Sequence, residues 1–361
     1  MILPNSHTVA LLLAILSLVC WGSWANTYKL AGRQRFELFY WDYALGVLLA
    51  AIIAAFTFGS LGFDLGGDVG GFAFLDDLMR SSKHSWAYGM AAGAVFNLGG
   101  ILMVAAMSLA GMSLALPVGL GLAVVVGLLL DYIAKQHANP VLLFSAIVLI
   151  LAAVVLDVVA WRAVSLERAK EAIKTGKTKS TKVTASWKGI LLAVIGGPLA
   201  GLCLPLAEAS REPDLGMGPY AAAFMFAGGV FLSTFVYNLF FMNLPVRGEP
   251  VELLQYFRQP KKSHVLPLSG GLLWAAGIVS YFVASSATAA GAVTAAPVPL
   301  LGPTTGHVVG LGAALLSALW GLLAWKERSG APTSARALAG LMLILFAAAL
   351  ALMVFAPPLT A

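Results

Sequence analysis

The sequence predicts an all-α integral membrane protein, with ten transmembrane helices arranged as two inverted five-helix repeats. Three observations carry that prediction. Apolar runs of about 20 residues recur along the chain, long enough at 1.5 Å rise to cross about 30 Å of hydrocarbon. Sixty per cent of residues are apolar and 11% are charged. Lys and Arg alternate in abundance from one connection to the next, and short motifs of the first half return in order in the second.

The spans fall near 8–28, 38–59, 86–107, 111–131, 140–160, 188–207, 219–242, 267–287, 305–326 and 335–356. Each reads as a helix, because backbone polar groups in lipid must be satisfied within their own segment. Connections after spans 1, 3, 5, 7 and 9 hold 18 Lys/Arg, against 4 in the others and both termini together. The positive-inside rule then places both termini outside and the basic connections in the cytoplasm, in the plasma (inner) membrane. One connection, Arg162 to Lys188, holds eight Lys/Arg and two Glu, a net +6 that equals the charge of the whole chain. Basicity therefore reports topology and not a nucleic-acid partner, and this loop is expected near anionic lipid headgroups. The N-terminus lacks a basic region and a small-residue cleavage site, so it reads as a retained first span. Cys20 and Cys203 both lie inside spans, which leaves no disulfide framework or zinc site.

The organisation expected is a first repeat at 1–160, a basic cytoplasmic linker at 161–187 and a second repeat at 188–361. Gly111 to Pro117 (GMSLALP) echoes Gly291 to Pro297 (GAVTAAP) at an offset of 180. Arg80 and Lys83 match Arg258 and Lys261 at 178, while Cys20 matches Cys203 and Gly46-Val47 matches Gly229-Val230 at 183. Asp131 stands to Glu327 at 196, which locates an insertion of 16 residues between Pro297 and Glu327. An odd number of spans per copy inserts the second upside down, a hallmark of secondary transporters with a binding site near mid-membrane. The run Pro297 to Gly306, with three prolines and two glycines, cannot continue a regular helix. It reads equally as backbone lining a cavity and as a long outer loop, with Thr304 or Thr305 capping the helix that carries His307.

The first span ends in Trp21-Gly-Ser-Trp-Ala-Asn-Thr-Tyr-Lys-Leu30. Ser17, Trp21, Trp24 and Tyr28, at spacings of 4, 3 and 4, form one helical face. Such a face is costly against lipid and is expected to look into a bundle or a watery cavity. Trp24, Tyr28, Tyr40, Trp41 and Tyr43 also fit an aromatic belt at the membrane interface, whereas Trp21 lies nearly two turns deeper than Tyr28 and reads as a pocket residue. Asn97, central in span 3, reads equally as interhelical glue and as a substrate contact, and so do Tyr237 and Asn238 in span 7. Asn26 follows the aromatic stripe, and Trp274, Ser280 and Tyr281 complete the candidates on span 8.

Among acids near span ends, Asp131 is expected to pair with Lys135, Glu327 with Lys326 and Arg328, and Asp157 to reach towards Arg162. Asp42, in the first turn of span 2, and Glu208, with Arg211 three residues on, remain as candidates for energy coupling. Gly176-Lys177-Thr178 resembles the end of a phosphate loop, but the pattern needs glycine where Glu171 stands, so no nucleotide-driven pump is expected. No metal-ligand spacing or nucleophile–base set appears. No cofactor, no metal and no enzyme activity are expected.

At Cys20 to Leu30 (CWGSWANTYKL), followed by Arg35 to Tyr43 (RFELFYWDY), the chain resembles the ureide permeases of the drug/metabolite transporter superfamily. The resemblance implies uptake of allantoin, uracil and related oxo-heterocycles, driven by protons, through a cavity that alternates between outward- and inward-facing states. A planar heterocycle wants an aromatic face to stack on and amides to pair with, which Trp21, Asn26 and Asn97 supply. The expected partners are thus a small-molecule substrate, a coupling proton with sodium as the alternative ion, and the lipid bilayer. A glucose- or ribose-type sugar would use the same groups and is the second reading. A receptor or a channel is the alternative from another class.

Overall fold

The computed structural model describes residues 1–32, 34–61, 73–135, 139–175, 184–211, 215–288, 300–302 and 304–355. The helices are α1 (His7–Ser23), α2 (Ala25–Leu30), α3 (Phe36–Phe56), α4 (Phe74–Arg80), α5 (Lys83–Ala110), α6 (Met112–Lys135) and α7 (Pro140–Lys174). They continue with α8 (Thr184–Gly201), α9 (Cys203–Ala209), α10 (Pro219–Asn243), α11 (Leu253–Arg258), α12 (Lys262–Ser285), α13 (Thr305–Leu319) and α14 (Thr333–Phe355). Among the described residues, ten segments are long and apolar enough to cross a membrane, and each overlaps an expected span. The chain is a multi-pass, all-helical membrane protein. Gly176–Thr178, Gly291–Pro297 and the Lys135 side chain, on which expectations fell, lie outside the described residues.

Helix boundaries follow from local chemistry. Asn139 Oδ1 accepts from Val141 N at 3.0 Å, with Pro140 in the first helical turn of α7, a favoured cap and start. Between α1 and α2 the regular helix is interrupted at Trp24. There Asn26 Nδ2 donates to Ser23 O at 2.8 Å and Thr27 Oγ1 to Trp24 O at 2.7 Å. Short polar side chains compete in this way for the carbonyls that a helix needs. The polar run that made span 1 unusual is thus also what breaks it. Span 6 is likewise broken near its end, at Leu202 between α8 and α9.

The described helices form two compact units, and each draws on both halves of the chain. One comprises Met1–Leu98 with Leu202–Val309, the other Gly99–Gly201 with Gly310–Ala361.

In the first unit, α12 packs along α3 and α1, and α10 packs along α3. The α3–α12 crossing is a backbone contact. A Cβ on Gly46 would lie 2.3 Å from Leu268 O, and one on Gly271 would lie 2.0 Å from Tyr43 O. The α5–α10 crossing repeats it: a Cβ on Gly229 would lie 2.1 Å from Met90 O, and one on Gly93 would lie 2.0 Å from Phe226 O. Gly46 and Tyr43 stand 183 residues before Gly229 and Phe226; Met90 and Gly93 stand 178 before Leu268 and Gly271. Donor helix, acceptor carbonyl and glycine therefore recur at the offsets read from the sequence. The start of α10 is tied to α4, where both Asp77 carboxylate oxygens accept from Gly218 N, at 3.2 and 2.9 Å.

In the second unit, α7 packs along α14 and α6 along α8. Its polar knot gathers where α5 turns into α6. Gly111 takes φ +88°, and the Glu327 carboxylate accepts from Met112 N at 3.0 Å and Ser113 N at 2.6 Å. A carboxylate at a helix start satisfies donors left without intrahelical partners. Arg328, buried, donates to Ser113 O at 3.1 Å and to Asp157 Oδ1. One expectation changes here: Asp157 is fully buried on Arg328 instead of reaching Arg162. The cause is that the chain after α13 folds back onto α6 and α7, a return invisible in local spacing.

Replacing Gly271 or Gly93 with Ala drives a methyl into a backbone carbonyl, where no flexible side chain can yield. The expected loss lies at or beyond the upper end of the about 1–3 kcal/mol typical of overpacking. Thermal melting of detergent-purified variants checks this, with Gly340→Ala, where nothing lies within 4 Å, expected to melt as the parent does.

Candidate functional site

The glycine contacts of α12 set an aromatic shelf inside the first unit. Three residues past Gly271 comes Trp274, which is buried. At Gly277 a Cβ would lie 2.6 Å from Trp21 Cδ1, so the indole of Trp21 rests directly on the α12 backbone. Trp21 and Trp274 stack at 6.2 Å and 19°. Trp274 stacks in turn on Phe96, at 4.7 Å and 29°, and on Phe226, at 6.1 Å and 23°. Tyr281 lies 5.7 Å from Trp21. Four helices, α1, α5, α10 and α12, thus contribute rings to one surface.

That surface carries an unspent donor. Among the described residues, Trp21 Nε1 is buried without a hydrogen-bond partner, and so is Ser17 Oγ, one turn earlier on the same stripe. The opposite side of α1 shows Leu12, Ile15, Leu16 and Val19 to the exterior, so the polar stripe faces inward as its composition requires. At the rim, Arg211 lies 5.1 Å over the Phe282 ring. It donates to Ser285 Oγ at 2.9 Å, to Phe282 O at 3.4 Å and to Ser286 Oγ. Burial pulls its guanidinium below the usual value, with Tyr281 and Glu208 opposing.

The other candidates are dispersed. Tyr40 OH donates to Asn97 Oδ1 at 2.9 Å. Asn97 Nδ2 reaches Val230 O at 3.0 Å, Ser233 Oγ at 2.8 Å and Thr234 Oγ1 at 3.0 Å. This buried amide ties α3, α5 and α10 together. Asn238 Nδ2 donates to Glu37 O at 2.7 Å, another α10–α3 tie. Trp24 packs on Tyr43 at 4.9 Å, and Asn26 Nδ2 serves the helix break. Glu208 is exposed.

The belt reading fails for Trp41 and Tyr43. Every residue from Phe36 to Ala44 is buried, a helix end enclosed all round. Trp41 Nε1 donates to Met242 Sδ at 3.4 Å, and its ring meets Phe235 edge-on.

Asp42, the first candidate for energy coupling, faces α11 and α12. Tyr256 OH donates to Asp42 Oδ1 at 2.5 Å, and His264 Nδ1 lies 2.7 Å from Asp42 Oδ2. The Tyr256 and His264 rings meet edge to face at 4.9 Å. Burial, then its bond to Asp42, push the Tyr256 phenol up, so it stays a donor. His264 was missed because the apolar pattern starts span 8 at 267, whereas α12 begins at Lys262. Its place two residues after Lys262, in Lys261-Lys262-Ser263-His264, was the available signal.

The fold and these two sites define a helical, multi-pass membrane protein with an aromatic, partly polar interior. The ureide permease family model matches residues 39–197. Ureide permease 2 of Arabidopsis thaliana is 25% identical over 400 aligned residues, covering 95% of both chains. The chain is therefore similar to the ureide permeases along nearly its whole length, as its two motifs suggest. A solved crystal structure of a protein 17% identical, covering 95% of this chain and 96% of that one, superposes with a TM-score of 0.53; that likeness concerns the fold alone.

Asn97→Ala is expected to lower stability by about 1–2 kcal/mol, the range for interhelical amide bonds in bilayers. Ligand affinity measured on the same preparation should stay within threefold of the parent, since the amide is already spent on α10.

Proposed function

We propose that the protein is a secondary active transporter that takes up a small, flat, polar solute by alternating access coupled to protons. The solute class is a ureide or nucleobase, such as allantoin or uracil. The observation that carries this reading is the aromatic shelf with the buried, unpartnered Nε1 of Trp21 on it. Stacking on such rings is worth about 0.5–1.5 kcal/mol beyond area burial. A buried donor left unmade costs about 1–3 kcal/mol. A flat ring with a carbonyl on its edge gains on both counts, whereas an apolar ring gains only on the first. The name of the Arabidopsis relative points the same way.

The reciprocal glycine crossings support two inverted repeats, 1–160 and 188–361, joined by the linker at 161–187. The 18-to-4 division of Lys/Arg supports a plasma-membrane topology with both termini outside. Coupling we assign to Asp42, which is buried beside a titratable partner; Glu208 is exposed, and a charge already in water changes little between states.

Trp21→Ala should weaken binding of allantoin or uracil roughly tenfold or more, the equivalent of about 1.4 kcal/mol. Trp187→Ala, at an exposed ring, should leave it unchanged. Ligand-induced thermal stabilisation reads both, and equal effects would return the stripe to packing.

A cysteine replacing Asn5 should react with an impermeant thiol reagent in intact cells, and one replacing Thr178 should not. Native Cys20 and Cys203 are buried and give little background. The reverse labelling pattern would overturn the topology.

A further inference from the structure

We infer that His264 is the group through which Asp42 exchanges its proton with water at the cytoplasmic face, and that Tyr256 holds α11 to the carboxylate only while it is charged. This inference rests on the proton-coupled reading above. Asp42 is 4% exposed, with Oδ1 taken by Tyr256 and Oδ2 by His264. A proton that reaches it must pass through one of those partners. The phenol cannot serve, since burial and the neighbouring carboxylate keep it protonated. The imidazole can: its side chain is 27% exposed, and imidazole alone among side chains ordinarily titrates between about pH 5 and 8.

The step balances with one proton. Water delivers it to Nε2 of a neutral ring whose Nδ1–H bonds Asp42 Oδ2. The Nδ1 proton moves onto Oδ2, leaving a neutral ring protonated at Nε2 and a neutral carboxyl. A tautomer exchange through water resets the ring. The Tyr256 bond then loses its charge assistance, and hydrogen bonds to ionised acceptors are roughly twice as strong as neutral ones. Protonation of Asp42 therefore weakens the tie between α11 and α3.

The surroundings leave these two groups as the variable charges. α11 brings Tyr256 and Arg258, α12 brings Lys262 beside Lys261, and α2 brings Lys29 with Tyr28. Lysine and arginine keep their charge through neutral pH. Glu37, on α3, is paired with Arg35 at 2.7 Å. α10 carries no charged residue, and α1 only His7 at its start. Packing alone does not demand a polar pair here. At the offsets of the two glycine crossings, Asp42 corresponds to Met225 and His264 to Trp86, so the duplicate of this corner is apolar.

The test uses purified full-length protein in proteoliposomes with labelled allantoin and uracil as probes. His264→Gln keeps a hydrogen bond but carries no proton. It is expected to retain solute exchange within a few-fold and to lose accumulation driven by a pH gradient by about tenfold or more, general acid–base groups being worth about 10²–10⁴-fold. Its uptake should also flatten between about pH 6 and 8. A wild-type pH profile and accumulation in His264→Gln would overturn the relay while leaving proton coupling intact. Exchange without gradient-driven accumulation in the parent protein would overturn the proton-coupled reading and the relay with it. A measurement independent of flux covers failure of both probes. In histidine-labelled protein, the NMR ring signals of His264, assigned by their loss in His264→Gln, should change in Asp42→Asn, which loses the charged partner 2.7 Å away. Unchanged signals overturn the relay.

Discussion

The backbone contact between α3 and α12 is the constraint on which the interior of the first unit depends. Lipid tails are as apolar as leucine, so no hydrophobic drive pulls two membrane helices together. Close dispersion contact between small residues takes its place. Gly46 and Gly271 remove the side chains that would separate the two backbones, and everything attached to either helix is then fixed in height and rotation. Asp42 lies four residues before Gly46, and His264 lies seven before Gly271, two helical turns away on nearly the same face. Trp274 follows Gly271 by three. The polar corner and the aromatic shelf are set by one crossing.

The same crossing is made a second time by Gly93 and Gly229, and the two copies meet. Phe96 follows Gly93 by three residues, as Trp274 follows Gly271, and these two rings stack at 4.7 Å. Equivalent positions of two copies come face to face only near an axis relating them. The shelf therefore sits where the two crossings come together. The two crossings differ in the polar groups beside them: at the offset of 183 Leu204 stands where Trp21 does, and Met225 and Trp86 stand where Asp42 and His264 do.

How legible this was follows from which forces are local. The ten spans were readable because transfer from water to hydrocarbon is paid residue by residue along one segment. The stripe of span 1 was readable because its polar groups have to face away from lipid, and its deepest ring, Trp21, does reach the shelf. Partners were not readable. Trp41 and Tyr43 look like belt residues from their position at a helix end, yet only the surrounding helices decide that this end is enclosed. Asp157 finds Arg328, 171 residues away, and Asp42 finds His264, 222 residues away. Asn97 was left open between glue and ligand contact, and its bonds to α10 could be seen only once α5 and α10 were placed.

The distances along α12 constrain how the two sites of the first unit can influence each other. His264 stands ten residues before Trp274, and Ser285, the Arg211 partner, stands eleven after it. At 1.5 Å per residue these intervals are about 15 and 16 Å, so the shelf lies near the middle of the span with one polar contact towards each end. A charge appearing or vanishing at Asp42 is too far from the indole pair to act on it by direct contact. Its effect has to travel as a displacement of α12, and a packed helix moves as a body because its neighbours do not deform continuously. The glycine crossing lies between the two sites, seven residues from His264 and three from Trp274. The contact that places both sites is therefore also the stretch of α12 through which a displacement at one has to pass to reach the other.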